Sequence, residues 1–381
     1  MAHLLAERIG STAFAFRGYN VTNLGRSREL LDHAAYGSIV ERWLRRAGAI
    51  CAETLHKPVD LVARVRESRE TSLECYDEAI ALLAAMELAQ LQLLENFFGV
   101  RYVDAQMAFG FSLGELVAVA ASAVFELEQA LQVPLRMAAD CAALADGVTL
   151  GVLFSRGREL DLAQVTRLLL EINLEGDGVA GMSAILAPNT VLLMGQGTTL
   201  DRFGRRMQDY FPERLYLRKN NERWPPMHTP LVWQRHIPNR VGLLLHTLPG
   251  GVTAPHPPLF SLVTGGFDYN DYNGRSILIQ WVDHPQRLWD AVYETLSSGV
   301  ETVIHVGPDP NLVPATFQRL KENVAAQLQG SSLKSLSLRA TAQAVRRTWL
   351  TAILPSRTAL LRAPFIEHII LEDWLLAQEV A

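Results

Sequence analysis

The sequence predicts an α/β chain with a small α+β subdomain set into it, and three observations lead there. A glycine-flanked serine at position 112 stands between a strand-like run and a helix-like run. Strand-like and helix-like runs alternate between Gly147 and Trp224. Short apolar runs near the two ends, Ser11 to Phe16 and Thr302 to Val306, read as strands separated by long helical stretches. At roughly 150 residues per domain, a chain of 381 residues has room for two or three such units.

The elements follow in order. Ser11 to Phe16 stops at Arg17-Gly18, a strand ending in a glycine turn. From Arg26 to about Gly48, Leu30, Leu31, Ala34, Ile39, Trp43 and Leu44 recur at helical spacing. Ser72 to Phe98 is a helix with little polar face, expected to be buried on several sides. Val103 to Phe109 reads as a strand, and Glu115 to Val124, which has no breaker, as a helix. Next come strand (Thr149 to Phe154), helix (Leu162 to Ile172), two strands (Gly181 to Leu186, Thr190 to Met194), helix (Leu200 to Tyr210) and strand (Arg214 to Arg218), the order of a small inserted sandwich. Proline-rich segments from Trp224 to Pro230 and from Pro255 to Pro258 mark loops. Thr302 to Val306 is a strand ending at Gly307-Pro308, and Phe365 to Gln378 is an apolar helical stretch. The expected division is a core of residues 1–146 and 225–329, a subdomain of residues 147–224 and a helical tail of residues 330–381.

Composition narrows the function classes. Forty acidic against thirty-five basic side chains leave a net charge of −5, too near neutral for a dedicated nucleic-acid binder. With 49% hydrophobic and 20% charged residues, the chain can bury a sizeable core. The longest uncharged apolar run, Leu116 to Phe125, is half the roughly 20 residues a membrane span needs, and the first residues show no signal-peptide pattern, so no membrane span is expected. Cys51, Cys75 and Cys141 lie far apart without metal-ligand spacing, so no metal and a reducing, cytoplasmic setting are expected.

Gly110-Phe-Ser-Leu-Gly114 matches the G-x-S-x-G nucleophile elbow. A serine on a cramped strand-to-helix turn needs small residues two positions either side. The turn lifts the hydroxyl clear of the sheet, and the N–H of Leu113 opens a helix whose first amides have no internal partner. Such amides suit a developing oxyanion. A serine nucleophile also needs a base. Among ten histidines, His228 lies in a proline-bracketed polar loop, Pro226-Met-His-Thr-Pro230, with His256 and His284 next in line.

These residues resemble those of a known family. Gly110-Phe-Ser-Leu-Gly-Glu115 resembles the GHSLGE segment of malonyl-CoA:acyl-carrier-protein transacylases and polyketide-synthase acyltransferase domains. Ala13 to Gly18 stands where that family has its first strand and PGQG loop, and Met227-His-Thr-Pro-Leu231 resembles its FHSPL segment. His284-Pro-Gln-Arg287 resembles PVRW or PVQW, and Val306 to Leu312 resembles EVGPGxVL. The blocks keep family order over residues 11 to 325.

The resemblance implies an α/β-hydrolase-like acyltransferase core with a ferredoxin-like insert. It implies no cofactor, with a coenzyme A thioester as substrate: Ser112 takes a malonyl group from malonyl-CoA, His228 serves as general base and then acid, and an acyl carrier protein receives the group on its phosphopantetheine thiol. It assigns the oxyanion hole to the N–H groups of Leu113 and Tyr19 and the carbonyl that orients His228 to Arg287. The malonyl carboxylate goes to Arg136, 24 positions after Ser112, where a guanidinium can pair with it bidentately. Phe111 and Met227 shape the pocket; Phe111, Tyr19 and Met227 stand where the family has histidine, glutamine and, in malonyl-selective members, phenylalanine.

An acidic carrier calls for a basic dock, and Arg202, Arg205, Arg206, Arg214, Arg218, Lys219 and Arg223 form the densest basic stretch. Two alternatives stand beside the transferase. A hydrolase of the same fold would clear acyl groups from carriers, though such relatives tend to lose the carboxylate-binding arginine. A scaffolding protein would keep the fold without the chemistry.

Overall fold

The computed structural model describes residues 2–329 and 356–380, so half of the expected tail, residues 330–355, lies outside the described residues. The larger sheet has five strands, all parallel: β1 (Thr12–Phe16), β2 (Met107–Gly110), β7 (Leu259–Phe260), β8 (Thr302–Val306) and β9 (Glu367–Ile370), in the order β7-β2-β1-β8-β9. β1, β2 and β8 are buried at every position, as strands covered on both faces must be. Successive side chains alternate between two cores. Phe14 and Phe16 join the core built around the helix Tyr76–Phe98, while Ala13, Ala15, Met107 and Phe109 face the helix Leu288–Ser297. Phe16 stands in register with both Gly110 and Val306. Three strands therefore end at one level, and their following loops share the C-terminal edge, where open α/β sheets place their chemistry.

The inserted unit is a four-stranded antiparallel sheet of β3 (Val148–Ser155), β4 (Ala180–Ala187), β5 (Thr190–Gln196) and β6 (Leu215–Asn220), in the order β4-β5-β3-β6. The helices Leu162–Leu174 and Thr199–Tyr210 cover one face, packing Val165, Leu168, Phe203 and Met207 against Leu153, Val191 and Leu193. All six elements lie where the alternating pattern expects them. Gln286 stitches this sheet to the core: its N–H donates to the Ser183 carbonyl and its carbonyl accepts from Ile185 N–H, both at 2.8 Å.

Three expectations need correction. The helix expected from Arg26 to Gly48 is two, Ser27–Asp32 and Gly37–Leu55, because the backbone at His33 is extended. The strand expected from Val103 is a 3-10 turn, Tyr102–Asp104, followed by the shorter β2. The stretch expected to be helical from Phe365 to Gln378 is strand β9 followed by a short helix, Leu371–Leu376. Residues 367–370 pair with β8, Thr302 opposite Glu367, so this part of the tail completes the larger sheet. The segment Leu73–Phe98 is long and apolar enough to cross a membrane, but 78% of its most apolar window is buried inside the protein.

Candidate active site

Ser112 stands one residue beyond β2 and is the N-cap of the helix Leu113–Ala121 with φ +54° and ψ −118°, a conformation costly for any residue with a side chain. The glycines explain how the turn closes. A Cβ at 110 would overlap the backbone of Gly114, and one at 114 would overlap the carbonyl oxygens of Phe16 and Arg17. The loop after β1 therefore lies directly against the elbow.

Ser112 Oγ is 2.7 Å from His228 Nε2. The imidazole is buried, and its Nδ1–H donates to the carbonyl oxygen of Trp281 at 2.6 Å. That bond fixes the tautomer with Nε2 unprotonated and able to accept the serine proton. Burial pushes the His228 pKa down to about 4, opposed in part by the Trp281 carbonyl. Main-chain bonds hold the geometry: His228 N–H donates to Val282 O at 2.8 Å, and Trp281 Nε1–H donates to Ser112 O at 2.9 Å. Ser112 N–H in turn donates to the buried side-chain oxygen of Gln286 at 3.0 Å.

The two residues expected to supply the oxyanion hole, Leu113 and Tyr19, stand on the two loops that meet at the elbow. Leu113 opens the helix after the serine, and a Cβ on Gly18, next to Tyr19, would stand 3.2 Å from Ser112 Cβ. The Tyr19 ring packs edge-on against Tyr76 and Trp224, and burial pushes its phenol up to about 12. Phe111 is half-buried against the core beneath the sheet, and Met227 is buried with its sulfur accepting from the Cys141 thiol at 3.2 Å. Glu115, three residues after the serine, is fully buried. It accepts from the Ser261 and Tyr269 hydroxyls and the Leu262 N–H, and burial raises its carboxyl to about 7. It anchors the loop after β7.

The structure moves several expected roles. Arg287 does not orient His228. Its N–H donates to Leu262 O, its carbonyl accepts from Asp290 N–H at the start of a helix, and its guanidinium pairs with Asp290. The orienting carbonyl belongs to Trp281, six residues earlier in the chain. Arg136 does not reach the dyad either. It is exposed on the helix Leu127–Leu144, in an outer groove of about 450 Å³ shared with Arg240, Leu243 and Leu244. Its neighbour Met137 turns inward instead, since one helical residue rotates the side chain by about 100°. His284 is occupied with Asp283 at 2.7 Å, and His256 is exposed. The basic stretch is substantially neutralised: Arg202 pairs with Glu175, Arg206 with Glu171 and Glu175, Lys219 with Asp201, and Arg223 with Glu74.

Beside Trp281 and Met227, the residue before His228, lies a small space of about 10 Å³ lined by Tyr76, Val133, Met137, Met227, Trp281 and Val282, among others. Trp281 and Gln286 join the site without a signal in the sequence: a main-chain carbonyl leaves no side-chain signature, and Gln286 stands there only as part of the His284-Pro-Gln-Arg287 block.

No protein-family model and no curated protein matches the chain. Solved structures do. A malonyl-CoA:acyl carrier protein transacylase from Xanthomonas oryzae superposes with a TM-score of 0.61 at 21% identity over 81% of this chain and 91% of its own. The corresponding protein of Clostridium perfringens gives 0.63 at 16% identity, covering 90% of this chain and 99% of its own. The acyltransferase domain from module 8 of the salinomycin polyketide synthase gives 0.65 at 20% identity, covering 93% of this chain and 78% of its own. The mixed architecture of one parallel and one antiparallel sheet is thus the fold of malonyl-CoA:acyl carrier protein transacylases and polyketide-synthase acyltransferase domains.

Proposed function

We propose that this chain is an acyltransferase that moves an acyl group from a coenzyme A thioester to the phosphopantetheine thiol of an acyl carrier protein through an acyl-Ser112 intermediate. The observation that carries this reading is the 2.7 Å contact between Ser112 Oγ and His228 Nε2 on a strained elbow. The inserted sheet is read as a ferredoxin-like unit, as in the family the sequence resembles.

In the first half-reaction Ser112 Oγ attacks the thioester carbonyl while its proton passes to His228 Nε2. The tetrahedral oxyanion forms against the N–H groups of Leu113 and Tyr19. Collapse expels the coenzyme A sulfur, which takes the proton from Nε2. In the second half-reaction the carrier thiol gives its proton to His228 and attacks the acyl-serine, and Ser112 recovers the proton as it leaves. The Trp281 carbonyl stabilises the transient imidazolium through Nδ1–H, so the pair works without an aspartate.

The exposed position of Arg136 favours a second reading, an acyl hydrolase of the same fold, because such relatives tend to lack the carboxylate-binding arginine. Water then replaces the carrier thiol. Incubation with acyl-CoA thioesters, intact mass on Ser112, and then addition of a holo acyl carrier protein separates the two. Transfer to the carrier supports the transferase, and free acid with no carrier adduct supports the hydrolase. Absence of a serine adduct with every thioester removes both and leaves a scaffold.

A further inference from the structure

We propose that the acyl group carried on Ser112 is short, unbranched and uncharged, and that it enters the space walled by Met137, Met227 and Trp281. This rests on the acyl-serine reading and deepens it by naming the substrate class.

Trp281 touches both residues of the pair, through its carbonyl on His228 Nδ1 and its indole on the Ser112 main-chain carbonyl, so the space shares a wall with both. Among the described residues its walls carry no cation. The two polar wall residues are neutral: burial pushes the Cys141 thiol up to about 12 and holds the Tyr76 phenol well above its ordinary range. Arg136 and Arg240 lie in the outer groove, on the other side of Met137, and Arg240 pairs there with Asp140. A malonyl carboxylate entering the inner space would be desolvated with no partner. An uncompensated buried charge of this kind costs a factor of about 10² to 10³ in affinity. A methyl or short alkyl end meets only apolar walls.

Size points the same way. About 10 Å³ is room for roughly one water, so the space accepts a methyl group as it stands. Two of the walls are methionines, whose unbranched chains can swing aside for a few more carbons, while about 10 Å³ leaves no room for a branch beside the chain.

The test is the chain with acetyl-, butyryl-, hexanoyl-, malonyl- and methylmalonyl-CoA, with the rate of Ser112 acylation read by intact mass. Acetyl- and butyryl-CoA should acylate at least about 10²-fold faster than malonyl-CoA. Arg136→Ala should leave the acetyl-to-malonyl ratio within about twofold. Met137→Arg, which sets a guanidinium into the wall, should shift the ratio toward malonyl. Met137→Ala, which only enlarges the space, should shift preference from acetyl- toward hexanoyl-CoA and needs no buried charge to fold. A wild-type preference for malonyl-CoA overturns the inference alone, as does a fall in that preference in Arg136→Ala. No adduct from any thioester overturns the acyl-serine reading and the inference with it.

Discussion

The indole of Trp281 donates to the carbonyl oxygen of Ser112, while the carbonyl of Trp281 accepts from the imidazole of His228. One residue therefore holds Ser112 from its side chain and His228 from its main chain. Trp281→Phe keeps the second bond and deletes the first. A neutral hydrogen bond is worth about 0.5 to 1.5 kcal/mol, so acylation should slow by about tenfold while its pH midpoint stays in place. Stopped-flow acylation across pH checks both, and a shifted midpoint would mean that the carbonyl had moved too.

Ser112 sits at φ +54° only because the strand and helix on either side force it there. Glycine takes that conformation freely. Ser112→Gly should abolish the acyl adduct and raise stability by about 1 kcal/mol, read as a higher Tm. Unchanged or lower Tm would show that the elbow stores no strain.

Acylation should follow the buried imidazole. His228 titrates at about 4, so Nε2 accepts a proton at any pH well above that and is blocked below it. The rate should rise through about pH 4 and be flat toward neutrality. Stability has the same sign. The unfolded histidine binds its proton near pH 6.5 and the native one only near 4, so the native state loses stability as pH falls between those values. A rate midpoint near 6.5 would mean that water reaches the ring. His228→Ala should cost about 10² to 10⁴ in acylation at pH 7.

Gln286 is fully buried, and its side-chain oxygen is the acceptor for Ser112 N–H. Gln286→Ala leaves that buried N–H unpaired, which costs about 1 to 3 kcal/mol. Denaturant unfolding should show that loss. Acylation should drop with it, since the amide fixes the serine backbone. Gln286→Met, of similar volume but without the acceptor, should behave like the alanine variant if the hydrogen bond rather than packing matters.

His305 and His368 face each other across β8 and β9 with ring nitrogens 3.0 Å apart. Burial lowers both pKa values, to about 4 at His368 and further at His305, where the neighbouring ring adds to the effect. Both are neutral in the native state at neutral pH. As pH falls from about 6.5 toward 4 the unfolded chain takes up protons that the native pair refuses, so pairing of β9 should weaken. Amide exchange at residues 367–370 should become faster relative to β1 at pH 5 than at pH 7. Equal exchange would show that the pair does not control the strand.

Much of this molecule was readable in its residues, and the limits have physical causes. The inserted sheet was legible because period-2 and helical patterns alternate cleanly there. Ser112 was legible because two glycines and a strand-to-helix switch constrain it together. Arg136 was misplaced because sequence distance fixes a position along a helix but not its rotation, and the exposed arginine and the inward-facing methionine are consecutive residues. Trp281 was invisible because it holds His228 through a carbonyl, which every residue has. Residues 367–370 read as helix because their apolar spacing suits either form, and only the open edge of β8 decides between them.

That edge has a consequence for how the chain is made. Sixty-five positions separate Thr302 from its partner Glu367, so the sheet that carries the serine stays unfinished long after the serine itself has been translated. At about 5 to 20 residues per second, several seconds pass during which an apolar strand offers its hydrogen bonds to any passing chain. A message cut short, or a protease acting before residue 367, would leave that interval permanent. Loss of the last strand should therefore be felt first as aggregation and degradation in the cell, with the dyad intact in sequence and absent in effect.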